Sequence, residues 1–163
     1  MSIAESFSQL GFSDSLVTLI ISMLPVVELR LAIPVGASLG LPIWKAAVIS
    51  IIGNLLPTPF IIAFIRMVMD WLRKRSATAQ RFVLWLEKKG TGRKAERVRQ
   101  YEFWGLLLFV AVPLPGTGAW TGALVAALLD IRMKRAIPPI ILGVMIAALI
   151  VSLATAGVIT LLI

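Results

Sequence analysis

The stretch LPVVELRLAIPVG, Leu24 to Gly36, decides how this chain is read. It lies inside a long apolar block, Ser15 to Leu41, yet it sets Glu28 and Arg30 two positions apart between Pro25 and Pro34. A charge at mid-bilayer costs about 2.5–3.5 kcal/mol on insertion scales. Proline removes a backbone donor and interrupts the helix. The stretch therefore predicts a break at membrane depth whose ionic groups need partners. Residues two apart point away from each other on a helix and share a face on an extended strand. An unwound break lets Glu28 and Arg30 pair directly; a helical one sends each to a partner elsewhere, with the second break of the chain as the candidate.

The membrane setting follows from composition. Of 163 residues, 59% are hydrophobic and 15% charged, too few polar groups to cover a soluble domain of this length. The expectation is a single all-α integral membrane domain. The chain has no cysteine and no histidine. Thiol catalysis, disulfides, imidazole bases and the usual zinc sites are thereby excluded. Glu28 is the sole acid inside the apolar blocks, so the chain reads as a non-enzyme with no cofactor and no metal.

Three further apolar blocks follow: Ala46 to Ile65, Phe103 to Leu129 and Ile137 to Ile163. The second and fourth carry no charge and are long enough to span. The first and third each split into two arms. The arms are Ser15 to Leu24 and Leu31 to Leu41 in one, Phe103 to Val112 and Gly118 to Leu129 in the other. The breaks hold Pro25, Pro34, Pro113, Pro115, Gly116 and Gly118. Half-length arms around a break predict a re-entrant hairpin, with a kinked span as the alternative. A shift of 90 residues lays Pro25 on Pro115, Lys45 on Arg135, Ala46 on Ala136 and Gly53 on Gly143. Each half reads as broken hairpin, basic junction and unbroken span: residues 15–65, then 102–163. One hairpin plus one crossing puts the second half on the opposite side from the first. The halves are expected to form an inverted repeat.

The net charge is 16 − 8 = +8, and residues 66–99, with 11 basic and 3 acidic side chains, hold all of it. Under the positive-inside rule this segment is cytoplasmic and both termini are external. Residues 66–101 alternate apolar and basic groups at helical spacing, which predicts an interfacial amphipathic helix against anionic lipid headgroups. Nothing in the segment asks for nucleic acid.

The second break, VPLPGTGAWTG, opens a half-helix after its glycines. Free N–H groups around Gly116, Thr117 and Gly118 would form an anion site at that helix N-terminus. Thr117 and Thr121 share a face, and Trp120 would wall the cavity. The plainer alternative makes Thr117 a helix cap and Gly118, Gly122 and Ala126 a packing seam, matched by Gly36 and Gly40. If the breaks meet, Glu28, Arg30, Thr117, Gly118, Trp120 and Thr121 form a midplane site for an anionic group such as phosphate, with Glu28 as the exchanging or proton-carrying group.

The stretches ELRLAIPVGASLG and VPLPGTGAWTGALVAALL resemble the signature regions of the small multi-drug export protein family of prokaryotes, over about Ser15 to Val158. That family is in turn distantly similar to the DedA (VTT) membrane proteins, which pair inverted re-entrant hairpins. The second hairpin here departs from the DedA pattern in having Thr117, Trp120 and Thr121 in place of arginine and acidic residues. The resemblance implies a transporter in the prokaryotic cytoplasmic membrane. The expected activity is a transporter or flippase for a small amphipathic solute or a phosphate-bearing lipid headgroup. With so few helices, a homodimer or larger homo-oligomer is expected. The rival readings are a non-transporting scaffold acting through residues 66–99 and an intramembrane enzyme acting on a lipid phosphate.

Overall fold

The computed structural model describes residues 13–75, 81, 95–114 and 116–162, without the side chains of residues 72, 73, 75, 95–100 and 162. These residues are helical almost throughout. In chain order the helices are α1 (Asp14–Met23), α2 (Glu28–Ser38), α3 (Ile43–Leu55), α4 (Thr58–Arg75), α5 (Ala95–Ala111), α6 (Ala119–Leu128) and α7 (Met133–Leu162).

Local chemistry sets the ends. The Ser13 side chain accepts from the Leu16 N–H at the start of α1, and Asp14 places a negative charge in the first turn, where the helix dipole favours it. Pro25 keeps α1 from continuing past Leu24. The chain turns through residues 24–27 and restarts at Glu28, whose φ of 48° is left-handed. The charged pair Glu28 and Arg30 therefore lies at the head of a helix, not in an unwound strand. Pro34, expected in the break, sits inside α2, and Pro115 is outside the described residues.

Two helix ends 90 residues apart match down to single hydrogen bonds. α2 ends at Ser38 and α6 at Leu128. After α2, Gly40 N–H donates to Ala37 O at 3.1 Å and Leu41 N–H to Gly36 O at 3.1 Å. After α6, Asp130 N–H donates to Ala127 O at 3.1 Å and Ile131 N–H to Ala126 O at 2.9 Å. Both are Schellman caps, with a left-handed residue at the same place: Gly40 at φ 94° and Asp130 at φ 53°. α3 and α7 then begin at Ile43 and Met133, again 90 apart.

Both broken segments fold back on themselves. Gly36 lies so close to Thr18 and Ala46 that a methyl group there would touch both at 2.9 Å. A straight helix would hold Thr18 and Gly36, eighteen positions apart, at about 27 Å. In the second unit Gly122 lies against Val110 in the same way. Gly36, Gly122 and the fully buried Ala126 thus form the small-residue seams that let the arms close, whereas Gly40 has open space around it.

Two helical runs are long and apolar enough to cross a membrane: Ile43–Trp71 and Met133–Leu161, each 29 residues. At ~1.5 Å per residue each reaches beyond a 30 Å bilayer core. The first is not the uninterrupted span its lack of charge suggests. It breaks step at Leu56-Pro57, where the proline supplies no N–H, and then continues past Ile65 to Arg75. The two runs are antiparallel. Ile43, Trp44 and Ala47 share a cleft with Ser152, Leu153 and Ala156, while Arg66 and Asp70 share one with Met133. Leu29, Ile33, Ile62, Val110, Ile140 and Val144 fill the centre, and Val48, Ile52, Phe60, Leu149 and Leu153 are exposed on the outside. An apolar exterior around a core of this kind is a lipid-facing surface. The expected interfacial helix lies mainly on residues 76–94, which are outside the described residues except Arg81; the flanking turns belong to α4 and α5.

Candidate functional site

The two breaks meet, and each supplies what the other lacks. A helix end leaves backbone groups without partners, and in lipid no water replaces them. α6 begins at Gly118, whose side-chain hydrogen cannot cap anything. The cap comes from the other half of the chain: the Glu28 carboxylate accepts from the Trp120 N–H through Oε1 at 3.1 Å. Gly118 has φ 134°, and a Cβ there would land on the Glu28 carboxylate. The position is glycine for both reasons. Glu28 itself is 3% exposed.

Arg30 serves the opposite kind of end. Its guanidinium donates to Leu114 O and, at 3.4 Å, to Val112 O, carbonyls that follow the end of α5. It also donates to Thr117 Oγ1 at 2.6 Å. Thr117 in turn lies 2.7 Å from Val112 O and 2.9 Å from Leu114 O, with one proton to give to either. Trp120 returns the service to the first unit: its indole Nε1 donates to Met23 O, at the end of α1, at 3.1 Å. Glu28 and Arg30 make no ion pair with each other, whereas Arg66 and Asp130 pair at 3.4 Å. Of the two arrangements open to the charged step, the helical one with partners in the second break is the one adopted.

Of the six expected site residues, Glu28, Arg30, Thr117, Gly118 and Trp120 come together. Thr121, one position further along α6 and half-buried, takes no part in these contacts. Thr117 is not the cap of α6, because Gly118 occupies that position. Pro25, Pro113 and Gly116 lie in the breaks as expected.

Sequence reasoning missed Asn54. It is fully buried against the Glu28 side chain, with its amide just outside strict hydrogen-bond geometry. Ser50 one turn earlier is also fully buried, with its hydroxyl unpartnered. Thr58 one turn later bonds back to Asn54 O at 3.2 Å. The signal was present: Ser50, Asn54 and Thr58 recur every four residues in an otherwise apolar block, one polar stripe on one helix face. No cluster of metal-ligating side chains is present among the described residues.

The arrangement has a definite chemical capacity. A helix N-terminus with free N–H groups attracts anions, and a guanidinium in the adjoining break adds a full positive charge. The protein's own carboxylate occupies that place. Arg30 also lines a groove of about 730 Å³ with Pro34, Pro113 and residues of the last turns of α7, and its Nε is buried with no partner. Neither a curated protein nor a solved structure matches the chain. A family model described as small multi-drug export protein matches residues 28–150, from the carboxylate at the first break through the second break and well into α7. The chain belongs to the small multi-drug export protein family.

Proposed function

We propose that this protein is a membrane transporter or flippase that moves a small amphipathic solute or an anionic, phosphate-bearing lipid headgroup through the place where the two breaks meet. The family supports a role in membrane export. The observation that carries the finer reading is the Glu28 carboxylate seated on the N-terminus of α6, with the Arg30 guanidinium in the same junction. A carboxylate held there is an internal stand-in for a substrate anion. Substrate reaches Arg30 along the groove and displaces Glu28, or Glu28 takes up a proton and releases the N–H groups. Either step couples anion movement to a change of contacts between the two halves.

In this reading the folded-back pairs α1–α2 and α5–α6 are re-entrant hairpins entering from opposite sides, and the halves are an inverted repeat. The antiparallel run of the two long helices and the matched Schellman caps support it. The basic residues of the 66–99 segment put the α4–α5 connection in the cytoplasm and both termini outside. Two or more copies assemble, because the exposed apolar faces of one copy give its polar junction a thin shield against lipid.

The test is flux of a fluorescent or radiolabelled amphipathic anion in proteoliposomes. Arg30→Ala and Glu28→Gln should each reduce flux at least tenfold, and Arg30→Lys should retain a fraction of it. Both residues cap helix ends, so folding is followed in parallel by thermal unfolding. Wild-type flux from folded Arg30→Ala sinks the assignment.

A further inference from the structure

The repeat can be used to compare the two halves surface by surface. In the second half of the chain, α7 passes α2 and leaves the groove of about 730 Å³, lined by Arg30, Ala37, Ser38 and Ile159 among others. Ninety residues away, α4 passes α6 in the same relation. There Met69, Ala127 and Leu128 stand where Ile159, Ala37 and Ser38 stand in the first, and the space is about 90 Å³. Two things close it. Leu128, which lines it, is larger than its counterpart Ser38. Arg66 also reaches from α4 to the cap of α6, pairing with Asp130 at 3.4 Å and donating to Ile131 O. The counterparts of Arg66 and Asp130 are Ala156 and Gly40, which can make no such link.

The two places lie at opposite ends of the molecule. The link sits beside Met133 at the start of α7, whereas the groove runs along residues 150–159. The seventeen steps from Met133 to Ile150 span about 25 Å of helix. Asp130 holds a left-handed conformation to make the cap, one that asparagine and glycine tolerate equally well. An aspartate there supplies a charge that the cap itself does not require.

We propose that Arg66 and Asp130 form the gate on one side of the junction, shut in this structure, while the groove beside Arg30 is the open mouth on the other. The pair holds α4 against the end of α6, and its release lets those two helices part as α2 and the end of α7 already have. This rests on the transport reading above, but its test does not use flux. The chain has no cysteine, so single cysteines report cleanly. Ala37 and Ala127 are counterparts, the first half-buried in the groove and the second 4% exposed behind the link. In proteoliposomes, Ala37→Cys should react with a small water-soluble maleimide at least tenfold faster than Ala127→Cys. Adding Asp130→Asn or Arg66→Gln should speed labelling of Ala127→Cys at least tenfold and leave its thermal midpoint within a few degrees. Equal labelling of the two sites in the parent chain, or an Ala127→Cys rate unmoved by both substitutions, overturns the gate. Protein that labels as expected but carries no anion would count against the transport reading alone.

Discussion

Gly118→Ala tests the junction most sharply, because two independent penalties meet at one atom. The backbone there, at φ 134° and ψ −169°, is a conformation almost confined to glycine, and a side chain in it costs about 1–3 kcal/mol. The new methyl group would also coincide with the Glu28 carboxylate. Glu28 would have to leave, giving up the charge-assisted hydrogen bond from Trp120 N–H, worth about 1.5–3 kcal/mol. Together the loss should be roughly 2.5–6 kcal/mol. The two terms separate in a double-mutant cycle. In a Glu28→Ala background the collision is gone, and Gly118→Ala should lose only the backbone part, about 1–3 kcal/mol. The assay is reversible unfolding in mixed micelles followed by tryptophan fluorescence, for which the five tryptophans, Trp120 among them, provide the signal. A penalty equal to within about 0.5 kcal/mol in the two backgrounds, the usual scatter for independent sites, would refute the capping of α6 by Glu28.

Other outcomes follow from single environments. Asn54→Leu removes the buried amide that lies against the Glu28 carboxylate, so it should lower stability by about 1–3 kcal/mol in the same unfolding assay; unchanged or raised stability would mean that Glu28 does not depend on the amide. Gly53→Ala should destabilise by about 1–3 kcal/mol, because its methyl group runs into Ser22 and Leu19, whereas Gly105→Ala, with nothing within 4 Å, should gain about 0.5–1 kcal/mol from helix propensity alone. Thermal midpoints of the two variants should therefore move in opposite directions. Trp120→Phe keeps an aromatic group but loses the bond to Met23 O and part of the indole's packing, which should lower stability by at least about 1 kcal/mol while sparing the Arg30–Thr117 contact; an unchanged midpoint would show that the end of α1 does not depend on it.

Much of this molecule is legible in its residues because the bilayer allows few solutions. A run such as Ile137 to Ile163 has one stable state in lipid, a helix, since every backbone group must be satisfied within the segment. The prolines and glycines at Pro25, Pro113 and Gly116 mark places where that rule fails and outside partners are required. The 90-residue spacing shows in Pro25 and Pro115 and in Gly53 and Gly143, whereas the matching caps do not, because their left-handed residues differ, Gly40 in one and Asp130 in the other. Local pattern misleads where two neighbouring signals compete. It puts Pro34 in a break, but a proline needs only the loss of one N–H partner, and α2 accommodates it six residues past the helix start. The uncharged block Ala46 to Ile65 was read as unbroken, and Pro57 interrupts it.

By itself, then, the order of amino acids determined that this is a helical membrane protein whose apolar chain is broken twice by proline and glycine. Hydropathy and backbone satisfaction are local properties, so a linear reading reaches them. Tertiary structure decided which group answers which. Glu28 goes to Trp120 N–H, Arg30 to Val112, Leu114 and Thr117, Asn54 to the side of Glu28, and Arg66 to Asp130. These partners lie 26 to 92 positions apart along the chain. Their pairing depends on how folded-back arms pack in three dimensions, which no local pattern encodes.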